Sequence, residues 1–359
     1  MGIQTKRVSV SASLPAPVGG WNSRDSLAAM QPIDAVELIN WWVTPTDVVV
    51  RNGYSNSVTG ITGQVESLMV YNGAATSKMF AAAGTSFYDA SSAGAVGAAV
   101  VTGLTNARWW YQNITTAGGN YMYTVNGTDK PELYDGTNWT AIDGASTPAI
   151  TGVTTTTLSD VCLFKNRLWF IQKNTLKVWY LPTNAVGGAA SLIDLSAIAQ
   201  KGGYLIKMGT WTIDAGTGAD DLAVFVTSEG EIIVYQGTDP SSVATWSLVG
   251  VWQIGSPLGT RFLFKYAGDD LIMTHDGLFP LSGALQSSRV NPKVALSDKI
   301  QSAISSAASL YNSNFGWQVI YYAKANVIIL NVPVSTGSQE QYCMNTITGS
   351  WARFMQYCS

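Results

Sequence analysis

Short apolar stretches alternate with polar turns along most of the chain, starting at about residue 60. Five of these stretches contain five to seven mainly aliphatic and aromatic residues, at 78–83, 121–125, 167–171, 221–227 and 270–274. Dipeptides that tolerate a positive φ follow three of them, at Asn126-Gly127, Glu229-Gly230 and Asp276-Gly277. Short runs bounded by such turns predict β-hairpins.

An aromatic residue marks the strand that follows each of these stretches. The markers Tyr88, Tyr134, Tyr180, Tyr235 and Phe279 are separated by 46, 46, 55 and 44 residues. Propeller blades repeat about every 40–50 residues. The spacing therefore predicts an all-β fold, a β-propeller of about five to six blades over residues 61–359. A pair of β-sandwiches is the alternative architecture.

A tryptophan tends to follow the marker, as at Trp139, Trp246 and Trp351. One large flat side chain in each repeat would suit packing between neighbouring blades. We therefore expect these tryptophans to stack at the blade interfaces.

The residues before and within the repeats add three further elements. Residues 1–20 contain two prolines and end in two glycines, which predicts an extended N-terminal arm. Residues 21–60 are expected to hold a helix over 32–42 and a strand over 47–51 that closes the ring. A second helix is predicted near 297–311, with Ser297 as its N-cap and one stripe formed by Ile300, Ile304 and Tyr311.

Charge is scarce in this sequence. Lys and Arg number 20 and Asp and Glu number 23, so 12% of the 359 residues are charged, against about 25% in a typical soluble domain. Hydrophobic residues make up 47%, which excludes intrinsic disorder. The longest weakly apolar run, 94–104, is too short for a spanning helix of about 20 residues. We expect neither an export signal nor a lipid anchor.

Candidate chemistry is sparse. The net charge of −3 excludes a generically basic nucleic-acid binder. The single histidine, His275, precedes a turn, and the carboxylate pairs at 220–221 and 269–270 look like turn residues. The three cysteines, Cys162, Cys343 and Cys358, show no metal spacing and are expected to be reduced packing thiols. No catalytic residue, metal site or cofactor is predicted, and we expect no enzymatic activity.

The segment 20–42, together with Arg51-Asn-Gly-Tyr, resembles tail proteins of short-tailed bacteriophages. The shared pattern is an opening Gly-aromatic-Asn-x-Arg-Asp, then Met-x-Pro-x-Asp-Ala-x-x-Leu-x-Asn-Trp, then Arg-x-Gly-Tyr before propeller repeats. It covers about 35 residues, and the remainder of the chain is compatible with such repeats.

The resemblance implies a tail hub or nozzle subunit that assembles as a ring, expected to be a hexamer, below the portal and adaptor proteins and beside other tail proteins such as fibres or a needle. Such a ring surrounds the DNA exit channel, retains the packaged genome and takes part in ejection. Double-stranded DNA would pass without sequence-specific binding, and no small-molecule substrate is expected. The expected location is the virion tail, assembled in the host cytoplasm. Candidate interface residues are Trp21, Arg24, Trp41, Trp42, Trp109 and Trp110.

Two other functions are compatible with an aromatic-rich propeller. One is a carbohydrate-binding protein that docks to host surface glycan through exposed tryptophans. The other is a polysaccharide-degrading enzyme that uses paired carboxylates, whose separation in space the sequence does not give.

Overall fold

Six antiparallel sheets form the blades of a β-propeller. The computed structural model describes residues 13–212, 221–266, 268–285 and 292–355. Blade 1 contains Val65–Asn72, Ser77–Ala83, Ser86–Asp89 and Val101–Thr102; blade 2 contains Trp110–Thr116, Gly119–Val125, Glu132–Tyr134 and Trp139–Ala141; blade 3 contains Leu158–Phe164, Arg167–Gln172, Lys177–Tyr180 and Ser191–Asp194.

Blade 4 contains Leu205–Trp211, Leu222–Thr227, Glu231–Gly237 and Trp246–Gln253; blade 5 contains Leu263–Tyr266, Asp269–Thr274 and Gly277–Pro280; blade 6 contains Gln318–Tyr322, Val327–Ser335, Ser338–Asn345 and Trp351–Phe354. In each blade successive strands pair as neighbours. The predicted β-propeller of about five to six blades is confirmed, with six.

The first strands of blades 1 and 2, 2 and 3, 3 and 4, and 5 and 6 contact one another around the central channel of the propeller. Side chains bridge them directly: Asn113 Nδ2 donates to the Val70 carbonyl at 2.8 Å, and Trp110 Nε1 donates to the Val161 carbonyl at 3.1 Å. The second and third strands join at tight turns in blades 4 and 5, where Gly230 has φ +79°. The later strands lie progressively farther from the channel.

Aromatic side chains fill the spaces between blades. The Trp139 ring of blade 2 lies 4.9 Å from the Phe80 ring of blade 1, and Trp246 of blade 4 stacks on Trp169 of blade 3 at 5.5 Å. The prediction that Trp139 and Trp246 pack between blades is confirmed. Much of the hydrophobic core lies at these interfaces, because the blades bury their faces against one another.

The helix predicted near 297–311 is present as a 3-10 turn, Asp298–Ile300, followed by an α-helix, Gln301–Tyr311. Ile300 and Ile304 are buried, and Tyr311 packs partly against the same core. Ser297 occupies the N-cap position of the 3-10 turn, as predicted, but its buried hydroxyl makes no capping hydrogen bond and accepts one from the Leu278 N–H instead. The remaining helical segments are Leu281–Leu285, Thr155–Thr157, Pro292–Val294 and Ala323–Ala325.

The prediction of a helix over 32–42 is wrong. Asp34–Ala35 pairs with Gly20–Trp21, and Trp41–Val43 pairs with Val48–Val50. Asn40 has a positive φ of 60°, which a helix does not accommodate. The backbone between these strands pairs with blade 6 instead, because packing on that blade outweighs the local helical pattern.

Residues 19–54 form an N-terminal clasp on the outer edge of blade 6. The Arg353 N–H donates to the Leu38 carbonyl at 2.9 Å, and the Asn40 N–H donates to the Arg353 carbonyl at 2.8 Å. The expected closing strand at 47–51 is therefore one arm of a hairpin, and residues 38–40 make the contact with the outer edge of the last blade. Two further parallel strand pairs join Val58–Thr59 to Gly94–Ala95, and Ile150–Thr151 to Gly188–Ala189.

The extended-arm prediction concerns residues 1–20, of which 1–12 lie outside the described part of the chain. Residues 13–17 run without regular secondary structure to a turn, and the Leu14 side chain is 89% exposed. No helix among the described residues is long and apolar enough to span a membrane.

Candidate functional site

Two of the six predicted interface residues lie in the core of the chain. Trp21 and Trp109 are 6% and 2% exposed. Trp21 makes an edge contact with Tyr342 at 5.0 Å, and Trp109 makes one with Phe87 at the same distance. Neither can anchor a partner, because the indole rings fill the interior of their own propeller.

Arg24 holds the clasp to the segment that precedes the long helix. Its guanidinium donates to both carboxylate oxygens of Asp25 and forms an ion pair with Asp298. The nearby Asn22 side chain donates to Asp25 and to Asp34, and Asp34 pairs with Lys299 at 2.8 Å. These polar residues of the N-terminal sequence pattern therefore make hydrogen bonds and ion pairs within their own subunit.

Trp41 and Trp42 are consecutive residues of the first strand of the clasp hairpin, so their side chains face opposite sides of it. Trp41 is 41% exposed, and the Trp42 ring contacts Phe354 of blade 6 at 6.3 Å. Val50 and Tyr54, both more than 60% exposed, extend the same apolar surface. A groove of about 540 Å³ runs between this hairpin and blade 6 and has a mainly apolar lining. We call it the clasp groove.

Trp110 lies on the first strand of blade 2, where it covers a buried ion pair between blades 3 and 4. Lys207 Nζ lies 2.7 Å from Asp160 Oδ1 and 2.9 Å from the centre of the Trp110 ring. Asp160 also accepts a hydrogen bond from the Met208 N–H at 2.9 Å. Burial raises the pKa of Asp160 and lowers that of Lys207, and their mutual attraction opposes both shifts. The buried ion pair of Asp160 and Lys207 therefore holds the Trp110 ring in place.

A cavity of about 660 Å³ opens at the end of the channel where the first strands begin, which we call the channel mouth. The segments that lead into the first strands of blades 2 to 6 form its walls, together with the turns between second and third strands in blades 2 to 5. Its charged and titratable lining groups are Arg108, Asp160, Lys173, Tyr204, Arg261 and His275.

Arg261 crosses the channel mouth and joins three blades. It precedes blade 5, and its Nη atoms donate to the Glu66 carbonyl at 2.9 Å, to Ser67 Oγ at 2.5 Å and to the Trp109 carbonyl at 3.1 Å. Gln318 of blade 6 accepts a longer bond. Burial lowers the pKa of Arg261 to about 10. Sequence reasoning missed this residue, since nothing in the local pattern distinguishes one arginine before an apolar strand.

Beside this guanidinium, Phe315 separates two cations. The Arg261 guanidinium carbon lies 5.1 Å from the centre of the Phe315 ring, and that of Arg108 lies 4.5 Å from it. Arg108 Nε also donates to Glu66 Oε1 at 3.1 Å. The ring stabilises both positive charges while keeping them apart.

Two carboxylates outside the mouth have strongly perturbed pKa values. Glu132 and Asp270 are buried, and burial raises the pKa of each to about 7. Asp270 lies in the second strand of blade 5 and is not the turn residue that we expected; its Oδ2 accepts no hydrogen bond. Neither carboxylate belongs to a cluster of three or more potential metal ligands, and the described residues contain no such cluster.

Two of the three cysteines are buried packing residues. Cys162 and Cys343 are buried in blades 3 and 6, and burial raises the pKa of the Cys162 thiol to about 12. A thiol with so high a pKa is a poor nucleophile. Cys358 lies outside the described residues.

Comparisons with known proteins give no relative. No protein-family profile matches the chain, and no curated protein does. Among solved structures, it is similar to AztD from Citrobacter koseri, with 9% identity over 84% of this chain and 88% of that chain and a TM-score of 0.46. The propeller domain of Cps50 (Swd1) from Myceliophteria thermophila is 11% identical over 83% and 89%, with a TM-score of 0.47. Such distant similarity carries no functional argument.

Proposed function

We propose that this protein is a structural subunit of a short bacteriophage tail, a nozzle or hub ring that surrounds the DNA exit channel, retains the packaged genome and takes part in ejection. Its role in this proposal is mechanical, with no catalytic step. Neighbours in the tail would be further copies of the same chain, the portal and adaptor above, and other tail proteins.

The apolar outer surface of the clasp carries the proposal. Trp41, Val49, Val50 and Tyr54 expose between 41% and 65% of their surface on one short hairpin and the segment after it. The clasp groove continues this surface onto blade 6. Contiguous apolar surface of this kind marks interaction sites in soluble proteins, and a ring subunit must cover two flanks.

The sequence pattern behind the phage resemblance coincides with this same clasp. Asn22, Arg24 and Asp34 fix its course, while Trp41 and Trp42 lie on its outward hairpin. A segment whose polar residues determine its own position and which leaves Trp41 and Val50 exposed suits presentation of an interface.

The propeller channel itself is too narrow for duplex DNA. The side chain of Arg261, which precedes blade 5, spans the channel mouth to the Glu66 carbonyl of blade 1 and to the Trp109 carbonyl ahead of blade 2, whereas the major groove of the duplex alone is about 12 Å wide. In the proposed assembly the DNA therefore passes between subunits, through the centre of the ring.

The experiment measures assembly of the purified chain by light scattering and by electron microscopy, with matched aspartate substitutions. We expect closed rings for the unaltered chain, and loss of rings for Val50→Asp, because a charge would be buried in the interface. Val243→Asp is the control, since Val243 is 98% exposed in a loop of blade 4. A monomer at every concentration, with no corresponding ring in virions, would refute the proposal.

A further inference from the structure

We propose that the channel mouth binds a small anionic molecule that carries phosphate or carboxylate groups. This site lies at the axis of each propeller, away from the clasp groove, and does not depend on the proposed ring. Its ligand would occupy the 660 Å³ cavity between the loops, a volume within the range of about 300–1,000 Å³ typical of small-molecule sites.

The charges around the mouth do not cancel. Asp160 is neutralised by Lys207, and Glu66 is engaged by Arg108. Among the residues that the structure describes, no carboxylate then lies within ion-pair distance of the two remaining cations, Lys173 and Arg261. Their charge contrasts with the chain as a whole, which carries a net charge of −3.

The hydrogen bonds of both remaining cations go to neutral oxygen atoms, while the Glu66 carboxylate, which is paired with Arg108, also attracts Arg261. Lys173 Nζ donates to the Gly127 carbonyl at 3.2 Å and to Thr128 Oγ1 at 3.3 Å. Arg261 donates to carbonyl, hydroxyl and amide oxygens. These contacts orient the two groups without neutralising them. A buried guanidinium is unfavourable unless it is paired with an anion, and its lowered pKa agrees with that cost.

The arrangement therefore has the features of an anion site built into a rigid frame. Arg261 is immobilised by three blades, and Lys173 extends from the turn after the second strand of blade 3. Because both Nη groups of Arg261 already donate to the protein, this residue would attract a ligand through its charge, and charged groups held in place bind with little loss of side-chain entropy. The neighbouring Asn126, Ser228 and Ser256 supply neutral hydrogen-bonding groups around the same cavity.

The test is titration calorimetry of the full chain with inorganic phosphate and with citrate at 50 mM NaCl, with glucose as a neutral probe and a 20-base-pair duplex as a macromolecular source of phosphate. We expect saturable binding of at least one small anion and none of glucose. Lys173→Gln should raise its Kd about tenfold, or about 1.4 kcal/mol. Lys324→Gln, which removes the same charge in a loop at the opposite end of blade 6, should leave Kd unchanged.

Arg261→Gln should abolish binding if the variant folds, and Lys173→Gln provides the test if it does not. Absence of saturable binding for both anions would overturn the proposal. So would equal losses in Lys173→Gln and Lys324→Gln, which would indicate non-specific attraction, or binding of the duplex alone.

Discussion

At the scale of single residues, several of the charged side chains are placed inside the propeller. Asp160, Lys207, Asp270 and Glu132 are each less than 10% exposed. The low charge content of the sequence gave no indication of this, because burial of a charge depends on partners brought from other blades. Asp160 and Lys207 are 47 positions apart, and no local pattern connects them.

The ion pair between blades 3 and 4 should be costly to break. Lys207→Met would leave the Asp160 carboxylate buried with no cationic partner, and we expect a loss of about 3–5 kcal/mol in the free energy of unfolding. Urea denaturation measures it. Lys324→Met, at an exposed position, should change stability by less than about 0.5 kcal/mol. Equal effects in the two variants would contradict a specific role for the pair.

Asp270 should make stability depend on pH. Burial raises its pKa to about 7 in the folded chain, with Asp269 raising it further and Lys265 opposing, while the unfolded value is about 3.9. The folded state then binds more protons at this carboxyl between these values, so its contribution to stability is fully present below about pH 4 and is lost as pH rises to 7, by at most about 4 kcal/mol.

Asp270→Asn should therefore reduce the difference in unfolding free energy between pH 5 and pH 8. Glu132, whose pKa is also raised to about 7, should account for part of what remains. Chemical denaturation at a series of pH values checks this, with Asp276→Asn as the comparison in the adjacent turn. An unchanged pH profile for Asp270→Asn would rule out this carboxylate as the source.

At the scale of elements, the hairpins were predictable and the N-terminal segment was not. Strand pairs such as those around Tyr134 and Tyr235 follow from alternating apolar runs and glycine turns, which are local signals. The pattern over 32–42 is equally local and favours a helix, yet these residues pair with blade 6, which lies about 300 positions later. Hydrophobic periodicity is a local signal, so it cannot indicate contacts between residues that lie so far apart in the sequence.

The aromatic interface between blades 1 and 2 should contribute strongly to stability. Phe80 is 1% exposed, and its ring lies 4.9 Å from both Tyr134 and Trp139. Phe80→Ala should lower the free energy of unfolding by about 3–5 kcal/mol, because it leaves a cavity between two blades. Thermal and urea unfolding measure the change. Tyr54→Ala, at a residue that is 61% exposed, should cost less than about 1 kcal/mol.

At the scale of the whole molecule, an early segment of the chain packs on the last blade. Blade 6 is built from the last strands, and the clasp covers its outer edge. The repeat spacing predicted the number of blades closely, since that number follows from chain length divided by period. The channel mouth was not predictable, because its lining comes from separate segments of five blades that meet only when the propeller is folded.

Trp21 should be the residue that secures the clasp. Trp21→Ala removes its packing on Tyr342, and we expect a loss of about 3–5 kcal/mol together with faster proteolysis within residues 19–54. Trp41→Ala is the matched control, because that ring is 41% exposed; it should leave the stability of a single subunit nearly unchanged. Equal protease resistance of Trp21→Ala and the unaltered chain would show that the clasp is held by other contacts.

The contact between the clasp and blade 6 also determines when the clasp can dock during synthesis. Asn345 Nδ2 donates to the Val43 carbonyl at 2.9 Å across 302 positions. At about 5–20 residues per second, the ribosome needs roughly 15–60 seconds to make that intervening chain. Throughout this interval the clasp has no surface to dock on, and its apolar residues are open to other molecules. Protection of the clasp during translation should therefore determine how much folded protein a cell obtains.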